Sequence, residues 1–223
     1  MSRMMIISAA VAVIGLGAYF VTSTGTNPVT PANPLGAANA QEAADIDTST
    51  IVDMSLGNPD APVTVIEYAS YTCPHCARFH EGPFKQLKTD YIDTGKINFV
   101  YREVYFDRYG LWASMIARCA GTPESFFGMS DLIYQNQSEW SRAGEPAAIV
   151  DELRKVGLLA GLDRDTMEAC LQNGDKAQTL VAWYQENATA DGIESTPSFL
   201  INGQKYSNMS YAEMAEAIDA AAE

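Results

Sequence analysis

The sequence predicts an α/β fold in which a strand–helix–strand unit and a C-terminal hairpin–helix unit enclose a long helical block. Runs rich in β-branched and aromatic residues at 61–69 and 97–104 have the composition of buried strands. Apolar residues at helical spacing fill residues 109–187. An Asn-Gly pair at 202–203 between two short strand-like runs predicts a hairpin.

Local signals place the helices within this order. The residues from Cys73 to about Lys88 have helical periodicity, and a turn at 93–96 precedes the second strand. Inside the helical block, prolines that follow a candidate cap residue mark helix starts, as at Pro123 and Pro146. A Ser-x-x-Glu capping box that begins at Ser210 opens the last helix.

The N-terminus has the features of an export segment. Residues 1–23 combine an early Arg3 with an uncharged apolar run, which predicts either a cleaved signal sequence or a membrane anchor. Residues 24–50 are rich in Thr, Ser, Asn, Pro and Gly, and we interpret them as a flexible tether. The tether contains a small-x-small site at 38–40, but it lies far from the apolar run, so cleavage and anchoring both stay open. Either way, the domain is expected to face an oxidising compartment, where disulfides persist.

The charge of the chain limits its partners. The formal net charge of the 223 residues is −14, which argues against nucleic acid and anionic membrane surfaces as partners. The hydrophobic fraction of 47% and the charged fraction of 19% are those of an ordinary globular protein.

The Cys73-Pro74-His75-Cys76 segment carries the predicted chemistry. A sulfur at the first turn of a helix lies near unpaired N–H groups and the positive end of the helix dipole, so the pKa of Cys73 should fall. Pro74 is well tolerated in a first helical turn, and His75 is expected to add a donor or a positive charge near the sulfur. Cys76 lies three residues on, close enough to form a disulfide with Cys73. Stabilisation of the thiolate would make that disulfide a strong oxidant.

The neighbouring residues argue against other uses of this cysteine pair. Cys73, Cys76 and His80 supply three candidate zinc ligands, but the sequence contains no second C-x-x-C or histidine pair to complete a tetrahedral site. Haem attachment needs a histidine directly after the second cysteine, and Ala77 stands there. A purely structural disulfide of this spacing would be strained. We therefore expect redox activity without a metal or a cofactor.

Two segments resemble the DsbA-like thiol oxidases. The segment 67–76, from Glu67 to Cys76, resembles their active-site segment, and 195–203 resembles their cis-proline loop and following hairpin. The resemblance covers residues 51–223. It implies a thioredoxin-like fold made of residues 51–108 and 188–223, with an inserted all-helical subdomain at 109–187.

The resemblance also implies roles for individual residues. Cys73 would be the nucleophile and Cys76 its partner, with Pro197 in the cis form against the disulfide. Thr196 precedes this proline and should touch the sulfurs, where the best-known oxidases of the family have Val. Glu67 would be a buried acid that moves protons near the cysteines, although the alternation of the strand could equally turn it to solvent.

The two remaining cysteines, Cys119 and Cys170, both fall in the helical block. In an exported protein they are expected to pair as a structural disulfide. Two separate buried thiols are the alternative.

The resemblance implies a periplasmic enzyme, either soluble after signal cleavage or tethered to the inner membrane. It would introduce disulfides into unfolded or partly folded exported proteins with free thiols, and a membrane quinone-linked partner would re-oxidise it. A disulfide reductase or isomerase is the alternative within redox chemistry, and a non-redox chaperone or binding module is a further one. Tyr71 and Phe79 near the motif could form a contact surface for unfolded chains or belong to the core.

Overall fold

The computed structural model describes residues 46–223. The predicted signal or anchor segment 1–23 and the tether 24–50 therefore lie outside the described residues, apart from 46–50 at the end of the tether. Within 46–223, no helix combines the length and the apolar composition that crossing a bilayer requires.

Five strands form one mixed sheet in the order β1-β3-β2-β4-β5. The strands are β1 (Met54–Gly57), β2 (Val63–Ala69), β3 (Ile97–Glu103), β4 (Ser198–Ile201) and β5 (Gln204–Ser207). β2 and β3 are parallel, and the other neighbouring pairs are antiparallel. The sequence analysis did not predict β1, a short edge strand of four residues that are buried only in part.

The helices of the described chain fall into three groups. The first group consists of α1 (Pro74–Glu81), α2 (Pro83–Leu87) and a π-helical turn (Lys88–Ile92). Between β3 and β4 lie α3 (Arg108–Cys119), α4 (Pro123–Gln135), α5 (Gln137–Trp140), α6 (Pro146–Leu159), α7 (Arg164–Leu171) and α8 (Gly174–Ala190). The chain ends with α9 (Tyr211–Ala221). The long helix predicted from Cys73 to Lys88 is divided at Gly82, because Pro83 lacks an N–H and begins a new helix.

The order of elements is that of the predicted α/β fold, and helices α3 to α8 lie between β3 and β4 in sequence. The predicted caps account for several boundaries. The Ser210–Glu213 capping box is present at α9. The 202–203 turn has positive φ angles at both residues, 47° and 84°, as a tight two-residue hairpin requires.

Side chains that alternate along β2 enter two different layers. Val63, Val65 and Ala69 belong to the main core, whereas Tyr68 belongs to a second cluster with Ala188 of α8. Every residue on the face of Val63, Val65 and Ala69 is buried, whereas Thr64 and Ile66 on the other face are only partly buried. This geometry decides the position of Glu67, described below.

A buried ion pair joins the helical block to the sheet. Arg118 of α3 binds both carboxylate oxygens of Glu103 at the end of β3, with N–O distances of 2.6 and 2.7 Å. Both side chains are nearly inaccessible to solvent. Removal of one partner would leave a buried charge without compensation.

Candidate active site at the start of helix α1

The connection from β2 to α1 presents Cys73 at the surface and places Cys76 beneath it. Cys73 is the N-cap residue of α1 and is partly exposed, whereas Cys76 is buried in the first turn. The loop between strand and helix turns tightly, since the Cys73 N–H donates to the Ser70 carbonyl at 3.0 Å. Both cysteines are free thiols in this structure.

The surroundings of Cys73 favour its thiolate and lower its pKa from 9.0 to about 5. The largest cause is the hydrogen bond from the Cys76 thiol, and burial opposes it. The Thr196 side chain and the backbone N–H groups of Cys76 and His75 also lower this pKa. The helix N-terminus thus acts as the sequence analysis expected, through unpaired N–H groups of its first turn.

Cys76 has the opposite electrostatic environment. Its burial raises the pKa of its thiol far above the ordinary value, and the hydrogen bond to Cys73 and the charge of Glu67 raise it further. One sulfur is therefore accessible and readily ionised, while the other is shielded and keeps its proton. This division suits an attacked sulfur and a partner sulfur.

The ring of His75 lies at the surface next to Arg78. Both Pro74 and His75 are exposed, and His75 Nδ1 lies 2.8 Å from Nη2 of Arg78, which donates to it. The backbone N–H of His75 is one of the groups that lower the pKa of Cys73. The i, i+3 spacing of His75 and Arg78 is the sequence signal for this contact.

The loop before β4 meets the active-site sulfur. The Thr196–Pro197 peptide bond is cis, and the Cys73 thiol donates to the Thr196 carbonyl at 3.4 Å. The hydroxyl of Thr196 is buried and has no partner among the described residues while Cys73 is a thiol. A thiolate at Cys73 would provide an acceptor for this hydroxyl.

Glu67 is completely buried and faces α1. Its Oε2 lies 2.9 Å from Nε2 of His80, whose ring is only 2% exposed. The alternation of β2 had left a solvent-facing side chain open, and the helices that cover the sheet exclude it. The sequence analysis considered His80 only as a candidate zinc ligand and missed this pairing.

Two residues of the helical block support the active-site loop, and the sequence analysis missed both. Gln137 of α5 donates from its buried amide to the carbonyl oxygens of Tyr71 and Cys73, at 2.7 and 2.9 Å. Asp107 caps α3 and also accepts a hydrogen bond of 2.8 Å from the Thr72 hydroxyl. An Asp before a helix is recognisable as a cap in sequence, but its second contact depends on the tertiary fold.

The other predicted residues lie in the surrounding core and in the helical block. Tyr71 and Phe79 are both buried, so they belong to the core and do not form a contact surface. Cys119 at the end of α3 and Cys170 in α7 form a disulfide with a Cα–Cα distance of 6.0 Å.

Comparisons with known proteins agree with this geometry. The family model described as thioredoxin matches residues 49–220. The crystal structure of Wolbachia pipientis alpha-DsbA1 superposes with a TM-score of 0.70 at 28% identity, covering 76% of this chain and 90% of that one.

Curated relatives include a Rickettsia bellii protein named "Putative protein-disulfide oxidoreductase", 38% identical over 171 residues, which are 77% of this chain. This chain spans 65% of the length of that relative. The disulfide bond formation protein D of Bacillus subtilis is 27% identical over 179 residues, with 74% of each chain covered.

Proposed function

We propose that this chain, which belongs to the thioredoxin family, is a DsbA-like thiol–disulfide oxidoreductase that introduces disulfides into exported proteins. The observation that carries the proposal is the pair of unlike sulfurs at the start of α1. The accessible Cys73 has a pKa lowered to about 5, and the buried Cys76 has a raised pKa.

The proposed reaction starts from a Cys73–Cys76 disulfide. A substrate thiolate attacks Sγ of Cys73, the intramolecular S–S bond breaks, and Cys76 leaves with the electron pair and takes up a proton. A second substrate thiolate then attacks the substrate sulfur of the mixed disulfide. Cys73 leaves as a thiolate, so the substrate gains one disulfide and the enzyme holds two more electrons.

Neighbouring residues have proposed roles in this cycle. The backbone at Thr196 and Pro197, which lies against the Cys73 sulfur, would bind the extended substrate next to the disulfide. The backbone N–H of His75 and the first turn that begins at Pro74 would stabilise the leaving Cys73 thiolate. Glu67 would exchange protons with the buried thiol, and the Cys119–Cys170 disulfide would stabilise the helical block.

The location and partners of the protein are part of the same proposal. Residues 1–23 would direct export to the periplasm, and 24–50 would serve as a tether if the segment is not cleaved. The thioredoxin-like domain would comprise 51–108 and 188–223, with the helical subdomain at 109–187 inserted. Substrates would be incompletely folded exported proteins with free thiols, and a quinone-linked membrane protein would re-oxidise the enzyme.

The redox equilibrium of Cys73 and Cys76 against glutathione buffers tests the proposal. We expect a potential well above that of the glutathione pool, closer to the range of about −120 to −180 mV typical of disulfide donors. A potential near the value of about −270 mV typical of thioredoxin would refute disulfide donation and favour a reductase.

Variants separate the oxidoreductase from a binding protein. Glutathione disulfide is supplied as the oxidant. Catalysis of the oxidation of a reduced, unfolded ribonuclease should be abolished by Cys73→Ser, and Cys76→Ser, whose Cys73 first exchanges with glutathione disulfide, should accumulate mixed disulfides that it cannot resolve. The double variant Cys119→Ala/Cys170→Ala keeps the active-site pair and serves as the matched control. Full folding assistance by Cys73→Ser, without thiol turnover, would instead indicate a chaperone.

A further inference from the structure

A buried acid–base pair lies directly behind the two cysteines. Glu67 is on the face of β2 that packs against α1, and its Oε2 lies 2.9 Å from Nε2 of His80. The exposed fractions of the two side chains are 0% and 2%. Titratable side chains are rarely buried to this extent unless they have a specific partner or function.

The ring of His80 is held in an aromatic pocket. It stacks on Tyr134 at a centroid distance of 4.5 Å and an angle of 20°, and it packs against Phe84 at 4.6 Å. Phe79 and Tyr101 approach its edges at 5.6 Å. These contacts fix the plane of the ring, so its Nε2 points at Glu67 in one orientation.

The second oxygen of Glu67 is the unusual atom of this pair. Oε1 is buried and has no hydrogen-bond partner among the described residues. A buried carboxylate oxygen without a donor costs about 1–3 kcal/mol, so its retention calls for an explanation. A group that delivers a proton to Oε1 during part of the reaction would provide one.

Cys76 is the thiol positioned for this proton transfer. Cys76 and His80 are four residues apart in α1, so they lie on the same buried face of the helix, one turn apart, and His80 contacts Glu67 from this face. The charge of Glu67 is also one cause of the raised pKa of Cys76, after burial and the hydrogen bond to Cys73.

We propose that His80 is a positioning residue for disulfide exchange. Its Nε2–H binds Oε2 of Glu67 and thereby leaves Oε1 free to accept the Cys76 proton and to return it. This inference rests on the proposed oxidoreductase function and assigns a residue that acts through the acid.

The proton balance is clearest when the reduced enzyme reacts with glutathione disulfide. The Cys73 thiolate attacks one sulfur of glutathione disulfide, forms the mixed disulfide and releases one glutathione thiolate. Cys76 gives its proton to Oε1 of Glu67, and its thiolate attacks Sγ of Cys73. The Cys73–Cys76 bond forms and the second glutathione thiolate leaves. Glu67 gives up the proton that it received, and the two released thiolates take up this proton and one from solvent.

Other titratable groups around the pair do not compete for this proton. Tyr101 of β3, Tyr134 of α4 and Tyr71 of the preceding loop face the same interior, and burial raises the pKa of each far above its ordinary value. They therefore stay neutral through the working pH range. Tyr101 and Tyr134 share a hydrogen bond of 2.6 Å between their hydroxyls.

The test measures how fast Cys76 resolves the mixed disulfide. Reduced protein is mixed with glutathione disulfide, quenched with acid at different times, and the glutathione adduct on Cys73 is followed by mass spectrometry across pH. We expect His80→Phe, which keeps an aromatic ring but lacks the donor, to slow resolution of the mixed disulfide by roughly 10–100-fold. This loss of rate lies at or below the lower end of the range that is typical when a proton-transfer group is removed. The rate should recover only at higher pH, where hydroxide replaces the acceptor.

Two further variants distinguish positioning from packing. His80→Gln places an amide N–H near the site of Nε2, so it should retain most of the wild-type rate. Phe84→Leu loosens the pocket but leaves the donor, so it should leave the pH profile of resolution unchanged. The double variant Glu67→Gln/His80→Phe should be no slower than Glu67→Gln alone, because both changes remove the same acceptor.

Several outcomes would overturn the inference. One is a folded His80→Phe protein with the rate and pH profile of the wild type. Another is an equal loss of rate in His80→Phe, His80→Gln and Phe84→Leu. If wild type forms no Cys73–Cys76 disulfide at all, the proposed function itself fails.

A measurement on the wild-type protein does not depend on the folding of any variant. The nitrogen chemical shifts of a ¹⁵N-labelled protein report which imidazole nitrogen of His80 carries the proton. We expect Nε2 to be protonated in reduced and oxidised protein, with a shift that changes on oxidation. A bare Nε2 would exclude the donor and with it the inference.

Discussion

The low pKa of Cys73 should appear as a pH-dependent stability of the reduced protein. The pKa is about 5 in the folded protein, compared with 9.0 for an ordinary cysteine. Between these values the unfolded chain binds more protons than the folded one, so the free energy of unfolding rises with pH. This contribution is complete above about pH 9 and is lost as the pH falls through about 5.

The expected magnitude follows from the two pKa values. Each pKa unit corresponds to about 1.4 kcal/mol. Because pH 7 lies about two units above the pKa of Cys73 in the folded protein, the contribution at pH 7 is at most about 2.7 kcal/mol. Cys73 is partly exposed, and solvent screens the interaction, so we expect about 1–2 kcal/mol.

The assay compares urea unfolding of wild type and Cys73→Ser at about pH 4 and pH 7. Both proteins are fully reduced with a phosphine, so that the state of Cys119 and Cys170 is matched. The difference between them isolates the thiolate, because the remaining titratable groups are common to both. Thiolate absorbance in the ultraviolet should titrate with a midpoint of about 5 in wild type alone. A stability difference that does not change over this range, or a midpoint near 9, would refute the reasoning.

Two predictions concern the support of the site. Cys119→Ala/Cys170→Ala should lower the free energy of unfolding by about 4 kcal/mol, since the disulfide has a sequence separation of 51. The midpoint of the ultraviolet titration of Cys73 should not change. A loss of stability below about 1 kcal/mol would contradict this prediction. Gln137→Leu removes the donors of two hydrogen bonds to carbonyl oxygens of the active-site loop. It should lower the free energy of unfolding measured in urea by about 1–3 kcal/mol, and it should slow disulfide exchange at Cys73. The exposed Gln135→Leu is its control and should change stability by less than about 0.5 kcal/mol; equal losses in both would show that the buried contacts contribute nothing.

Local patterns were enough to predict most of the fold. The strand composition of 61–69 and 97–104, the Asn-Gly turn and the Ser210 capping box all depend on residues close in sequence. Strands at Val63–Ala69 and Ile97–Glu103, the turn and the cap are present. β1 was missed because four partly buried residues at a sheet edge carry little periodicity. Gly82 divides the first helix because the restriction before Pro83 outweighs the helical pattern.

The contacts of the site were less accessible to sequence reasoning. The position of Cys73 at a helix N-terminus follows from a strand that leads into a helix, and the direction of its pKa shift follows from that position. The pairing of Glu67 with His80 depends on how β2 packs against α1. The hydrogen bonds of Gln137 cross 64 and 66 positions of sequence, and no local pattern encodes them.

The contacts of Asp107 and Gln137 limit how far the helical block and the active-site loop can be exchanged separately between related proteins. Asp107 stands at the entrance of the helical block and Gln137 within it, yet both hold the loop that carries the reactive sulfur. A chimera that receives its helices from a relative would also need an acceptor for Thr72 and a donor for the carbonyl of Cys73. Recombination of such proteins should therefore succeed when the C-x-x-C loop and the helical block are exchanged together, and fail when either is grafted alone.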